Sequence, residues 1–398
     1  MLVLLAAAGT FALTMGARQS MGLFVGSINT HTGLGLGAVS LAFAFGQLWW
    51  GLTQPLAGIV ADRWGPGRVL VVGVALVALG TALIPLATTT AGLIVAIGVL
   101  AAGGAGMAGP SVLMAATTRL VAPERRGLAT GVVNAGGSFG QFLFAPILQA
   151  ITSAAGWVAA LNAMALITLL ALPAAWALRG TAAQPGAATV PRQTTREAVS
   201  QALSHPSFRL LAAGFFVCGF HVAFLATHLP TVVASCGLPP EVGAWALAML
   251  GLFNIAGSLG IGWAMSRSQG RWPLKSMLAL IYATRAVAVL LFVLAPKSTG
   301  MVLVFAAVMG ATFLSTVPPT AALVARFFGP THMATLFGLV MVSHQVGGFL
   351  GAYLGGRVYE ARGSYDAVWL LDIVLAIGAA LVHLPIREEP APLRAKPA

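Results

Sequence analysis

The hydropathy pattern is a run of apolar stretches about twenty residues long, separated by short polar joints. A helix rises about 1.5 Å per residue, so roughly 20 apolar residues carry it through the hydrocarbon core of a bilayer. Twelve segments have that length, near 2–27, 38–61, 69–88, 92–117, 127–151, 157–178, 209–234, 242–265, 274–295, 300–325, 333–356 and 367–386. They are numbered spans 1 to 12 in chain order. The alternation of about ten residues that marks a membrane β-strand does not occur. The pattern therefore predicts an all-α membrane protein with twelve transmembrane helices.

The longest polar interruption, "RGTAAQPGAATVPRQTTREAVSQALSHPSF" (179–208), has the Pro, Gly, Ala and Thr content of a flexible linker, with a short interfacial helix expected near 194–204. It divides the chain into an N-terminal six-helix bundle (1–178), a cytoplasmic linker (179–208), a C-terminal six-helix bundle (209–387) and a cytoplasmic tail (388–398). The halves repeat one another at an offset of roughly 205 to 208 residues. "GLATGVVNAGGSFGQFLFAPI" (127–147) and "TLFGLVMVSHQVGGFLGAYLG" (335–355) align Gly131 with Gly338, Gly140 with Gly347 and Phe142 with Phe349. Pro110 and Pro318 break spans 4 and 10 at corresponding points. Two pseudo-symmetric bundles, each with a broken helix, imply a transporter whose site lies between them.

Composition agrees: 58% of the residues are hydrophobic, 8% are charged, and the mean hydropathy is +0.92. The net charge of +12 changes meaning once the basic residues are placed. With the N-terminus inside, about sixteen Lys and Arg fall on the cytoplasmic side against three outside. The charge therefore records topology and not a nucleic-acid partner, and it puts both termini in the cytoplasm. The opening "MLVLLAAAGT" lacks a basic n-region and reads as the start of span 1. Cys218 and Cys236 make no disulfide framework and no metal spacing. No ligand cluster, nucleophile–base pair or P-loop is present in the sequence, so neither an enzyme, a cofactor, a metal nor ATP hydrolysis is expected.

Two motifs carry a family resemblance. "GIVADRWGPGR" (58–68), after span 2, resembles the loop signature of the major facilitator superfamily. "PERRGLATGVVNAGGSFGQFLFAPI" (123–147) and "FHVAFLATHLP" (220–230) look like the monocarboxylate transporter-like families within it. The resemblance implies the twelve-helix fold, a monomer, and a conformational role for Gly58, Asp62, Arg63, Gly65 and Arg68. It also implies a basic cavity residue in span 1, and here the matching place holds Arg18 and Gln19. Animal members have an aspartate and an arginine four apart in span 8 for proton coupling. The corresponding positions are Asn254 and Ser258, so coupling through that pair is not expected.

The polar residues inside the spans are the candidate site, because ionisable groups in a membrane are costly and mark substrate paths. Arg18 either faces the cavity, where its fork of donors suits a carboxylate, or snorkels to the outer interface. Arg285 and Asp372 lie about 16 and 20 Å from the cytoplasmic side, which suggests a structural ion pair between spans 9 and 12; a substrate role for Arg285 is the alternative. His221 and His228, seven apart in span 7, either bind substrate or protons or satisfy helix contacts. In "SHQVGG", one of His344 and Gln345 faces the cavity, since neighbours diverge by about 100°. Gln47 and Gln54, and Asn134 and Gln141, form two polar lines that serve a cavity, a gate or interhelical contacts. Trp49 and Trp50 read as packing or gate residues.

The sequence thus implies a secondary active or facilitative transporter of a small organic anion, a monocarboxylate, by symport or antiport, with protons as a candidate coupling ion. The proposed binding residues are Arg18, Gln19, Asn134, Gln141, His221, His228, Asn254, His344 and Gln345. Export of lipophilic drugs or metabolites is the competing reading, and a membrane receptor a third.

Overall fold

The protein is described by a computed structural model over residues 2–120, 126–178, 194–268, 271–329 and 332–390. Most of the expected linker, the basic Arg125 ahead of span 5 and the tail from 391 lie outside the described residues. The described chain is helical throughout, and ten helices are long and apolar enough to cross a membrane. The other two expected spans are a segment from Leu2–Ser20 through a 3-10 turn to Val25–Thr32, and the 30-residue helix Arg126–Ala155. The short helix expected within the linker is present as Thr195–Ser204, opened by a capping box between Thr194 and Glu197. Span 7 begins at Pro206, three residues ahead of the expected start.

Local sequence explains the irregularities. Span 2 (Leu36–Trp64) ends at Gly65, whose φ of +88° an L side chain rarely adopts, and Pro66 opens span 3 with no N–H to lose. Arg63 and Arg68 flank this turn in exposed positions, while the Asp62 side chain lies outside the described set. Span 4 contains a π-helical stretch, Ile94–Ala102, and stops at Ala108 before Pro110 restarts it. Span 10 breaks likewise between Thr299–Thr312 and Val317–Phe328, with Pro318 and Pro319 inside the restart. Proline removes the amide that would carry the helix through.

One buried apolar cluster draws on residues 7–178, and a second on residue 145 and residues 202–386. The clusters meet along three helix pairs. Span 1 approaches span 7 at Gly22 and Ala226, and span 5 meets span 8 through Ser138 and Asn254. Spans 2 and 11 cross at Gln47 and Gln345. Further from the termini the same pairs stay closed: Ser153 Oγ donates to Glu241 Oε1 at 3.4 Å, and Gly37 N donates to Glu360 Oε2 at 2.9 Å. In span 11, Gly347, Gly351 and Gly355 lie against Phe216, Phe220 and His228 of span 7. Those glycines allow close helix approach, as their spacing of four suggests.

Candidate functional site

A cavity lies between the halves, walled on one side by Arg18, Gln19, Gln47 and Trp50 and on the other by Phe215, Val222, Phe313 and His344. The π-helical part of span 4 contributes Ile97, Ala101 and Ala102 to its wall. A second cavity shares Met15, Gln19 and Trp50 with the first and continues past Phe11, Asn134, Asn254 and Ser258. It extends toward the end of the bundle where the chain begins, past Gly131, Ser258 and Leu259. At the end far from the termini the halves are joined by the Ser153–Glu241 and Gly37–Glu360 contacts, and the wider cavity runs in the other direction.

Arg18 does not snorkel. Its guanidinium carbon sits over the Trp50 ring, 4.6 Å from the centroid, and Nη2 donates to Gln47 Oε1. Among the described residues no carboxylate lies within ion-pair distance of it. Arg18 is therefore a cation at a cavity wall, held by an aromatic face and a neutral amide, with donors left over. Gln47 in turn donates from Nε2 to Gln345 Oε1 at 3.0 Å, so the chain of contacts crosses from one half to the other.

Of the adjacent pair in span 11, His344 lines the cavity against Phe215, at 5.0 Å between ring centroids, and its Nδ1 is buried without a partner. Gln345 turns away into the contact with span 2. Asn134 lines the wider cavity. Asn254 donates to Ser138 Oγ at 2.8 Å and accepts from Leu314 N at 3.1 Å, so it both joins the halves and satisfies an amide freed by the break in span 10. Gln54 accepts from Ser111 Oγ at 3.1 Å, a contact between spans 2 and 4. Gln141 is fully buried behind span 8 and lines neither cavity.

The histidines of span 7 take positions other than those expected for substrate contacts. His228 is buried among Phe224 and Tyr365, its Nε2 2.7 Å from Ala352 O, and lines neither cavity. His221 is also turned into the C-terminal half, where it modifies the expected pair of Arg285 and Asp372. Those two make no direct ion pair; the imidazole stands between them. His221 Nε2 lies 3.0 Å from Asp372 Oδ1, near enough for an ion pair, although its aligned hydrogen bond is to the Asp372 main-chain oxygen at 3.4 Å. Arg285 Nη1 donates toward His221 Nδ1 at 3.5 Å, which assigns the ring proton to Nε2.

The other terminal nitrogen of Arg285 turns to span 10 and Nε is buried without a partner. Nη2 donates to Thr312 O and, at 2.9 Å, to Phe313 O. These are carbonyls left at the end of Thr299–Thr312 where the helix breaks, and a fully buried arginine supplies what lipid cannot. Cys218, from which sequence reasoning drew nothing, joins the same cluster with its Sγ 3.1 Å from Thr316 Oγ1. One signal was available: Cys218 and His221 are three apart and share a helix face.

The model of the Major Facilitator Superfamily matches residues 6–284 and 270–398. Monocarboxylate transporter 13 of Rattus norvegicus is 26% identical over 397 residues, covering 96% of this chain and 88% of the relative. The oxalate:formate antiporter of Oxalobacter formigenes is 25% identical over 383 residues, covering 95% and 90%. Among solved structures, a D-xylose-proton symporter superposes with a TM-score of 0.73 at 13% identity over 97% of each chain, a likeness of fold. A helical membrane protein in two clusters around a central cavity, matched along nearly its whole length, belongs to the Major Facilitator Superfamily and is a transporter of that superfamily.

Proposed function

We propose that this protein moves a small organic anion, a monocarboxylate, by alternating access of the two bundles around the cavity at Arg18. The observation that carries the reading is that Arg18 faces the cavity with no carboxylate beside it and a neutral amide as its acceptor. A substrate carboxylate would neutralise the guanidinium and bind two of its donors side by side, the geometry for which arginine is suited. Gln19 and His344 line the same space and would supply hydrogen bonds, and Asn134 and Asn254 line the approach. The similarity to a monocarboxylate transporter and an oxalate:formate antiporter supports the same substrate class.

With both termini in the cytoplasm, as the distribution of basic residues implies, and with the protein in a bacterial inner membrane, as the family resemblance implies, this conformation faces inward. Rocking of the bundles would break the contacts at Ser153–Glu241 and Gly37–Glu360 and close the end near the termini. Neutralisation of Arg18 lowers the cost of enclosing the site, which links binding to the rocking.

The test is thermal-shift measurement of the purified protein and an Arg18→Ala variant against small mono- and dicarboxylates. A ligand that binds the folded state raises the melting temperature with the logarithm of its concentration. The expected result is stabilisation of the wild type by one or a few monocarboxylates, lost in Arg18→Ala. Export of lipophilic compounds is the second reading, favoured by the apolar remainder of the wall, which includes Met15, Met21, Phe43, Ile97 and Met341. It predicts lipophilic ligands that stabilise wild type and Arg18→Ala alike.

A further inference from the structure

We infer that Gln47 is a built-in competitor of the substrate: it occupies Arg18 when the site is empty and, through Gln345, ties that empty state to the closed seam between the halves. The inference rests on the carboxylate reading of Arg18.

The geometry is specific. The two glutamine side chains are 8% and 2% exposed and lie where spans 2 and 11 cross. Each rests on a glycine of the opposite helix: a Cβ on Gly348 would collide with Gln47, and one on Gly51 with Gln345. The crossing thus has room for both amides because glycines face them. Gln47 uses its two ends differently. Its Oε1 accepts from Arg18, and its Nε2 donates across the seam to Gln345 Oε1 at 3.0 Å. Gln345 Nε2 is buried without a partner, as is Trp50 Nε1 beneath Arg18. One residue therefore joins the cation of the cavity to the contact between the halves, and two donors around it stand unused.

A carboxylate is the stronger acceptor for a guanidinium, since the bond is charge-assisted and two-pronged. When a carboxylate takes Nη2 of Arg18, the nitrogen that now serves Gln47, Gln47 Oε1 loses its donor and the amide must find another. A rotation that turns Oε1 toward another donor gives up the bond to Gln345 Oε1, so occupancy of the cavity loosens the seam. This differs from a role in which Gln47 merely positions Arg18 for substrate. A positioning residue helps binding, whereas a competitor opposes it, so removing the two has opposite effects on affinity.

The experiment measures dissociation constants by thermal shift and by intrinsic tryptophan fluorescence, with formate, acetate, lactate and oxalate as probes, for wild type, Gln47→Met, Gln345→Met and the double variant. For any probe that binds wild type, Gln47→Met should tighten binding by about three- to tenfold, the range of one exchanged hydrogen bond. Gln345→Met should tighten it less, and the double variant should match Gln47→Met, because both substitutions act on one chain of contacts. Weaker or unchanged binding in Gln47→Met overturns the inference and assigns Gln47 to positioning or packing. If Gln47→Met does not fold, Gln345→Met decides alone: tighter binding supports the latch, and equal or weaker binding overturns it. If no probe binds wild type, the carboxylate reading fails and the inference goes with it; if the probes bind wild type and lose Arg18→Ala, only the inference is at stake in the Gln47 series.

Discussion

His221 Nε2 lies 3.0 Å from Asp372 Oδ1 in the interior of the C-terminal half, and both side chains are cut off from solvent. The carboxylate balances Arg285 through this ring, and Arg285 in turn holds the broken carbonyls of span 10. Removing one charge leaves the other buried and uncompensated. Arg285→Met and Asp372→Leu should each cost about 3 to 5 kcal/mol of stability, read as a lower melting temperature in detergent. The double variant should be less destabilised than the sum of the two. An additive double variant would show that the charges do not compensate one another.

Arg18→Lys separates charge from shape. Lysine keeps the cation but has no planar fork to offer a carboxylate and no guanidinium to place over Trp50. Loss of one hydrogen bond, about 1 kcal/mol, predicts carboxylate binding about fivefold weaker than wild type. Arg18→Ala should bind none. Titration of both variants with the same carboxylates checks the order.

Ser153 and Glu241 meet at the end of the bundle far from the termini, with 3.4 Å between their side-chain oxygens. Cysteines at the two positions, with Cys218 and Cys236 replaced, should cross-link under mild oxidation. The cross-link should stop transport in proteoliposomes, and a reductant should restore it. Unimpaired transport by the cross-linked protein would mean that this end does not open.

His205 caps the short helix Thr195–Ser204 where it joins span 7, with its ring against Phe327 and Phe328. Partial burial lowers its pKa from the usual 6.5. A base with a lowered folded pKa favours the native state while neutral, so this stabilisation is present above pH 6.5 and is lost as the pH falls through that value toward the lowered one. Limited proteolysis of this junction should accelerate from pH 7.5 to pH 5.5, and His205→Gln should flatten the difference.

Much of this was legible in the chain. Hydropathy located the spans to within a few residues, and the prolines of spans 4 and 10 marked the breaks. Arg18 stood out because a cation at membrane depth requires a partner. Its isolation from carboxylates followed from the scarcity of acids in the N-terminal half. The spacing of Gly347, Gly351 and Gly355 indicated a close helix approach, though not which helix would be approached.

The sequence by itself determined what is local and periodic: which segments are apolar for long enough to cross, where a missing amide stops a helix, and which polar residues lie at depth. Only the tertiary structure decided which of those residues meet. Helix rotation sets direction, and successive residues point about 100° apart, so a small turn of span 7 sends His221 toward Asp372 and not into the cavity. The same holds for His344 and Gln345, neighbours in the chain, one at the cavity wall and the other in the seam. Cys218 acquired a place in the polar cluster, and Gln47 its two partners, because helices distant in sequence pack with those faces together, and no single helix carries that information.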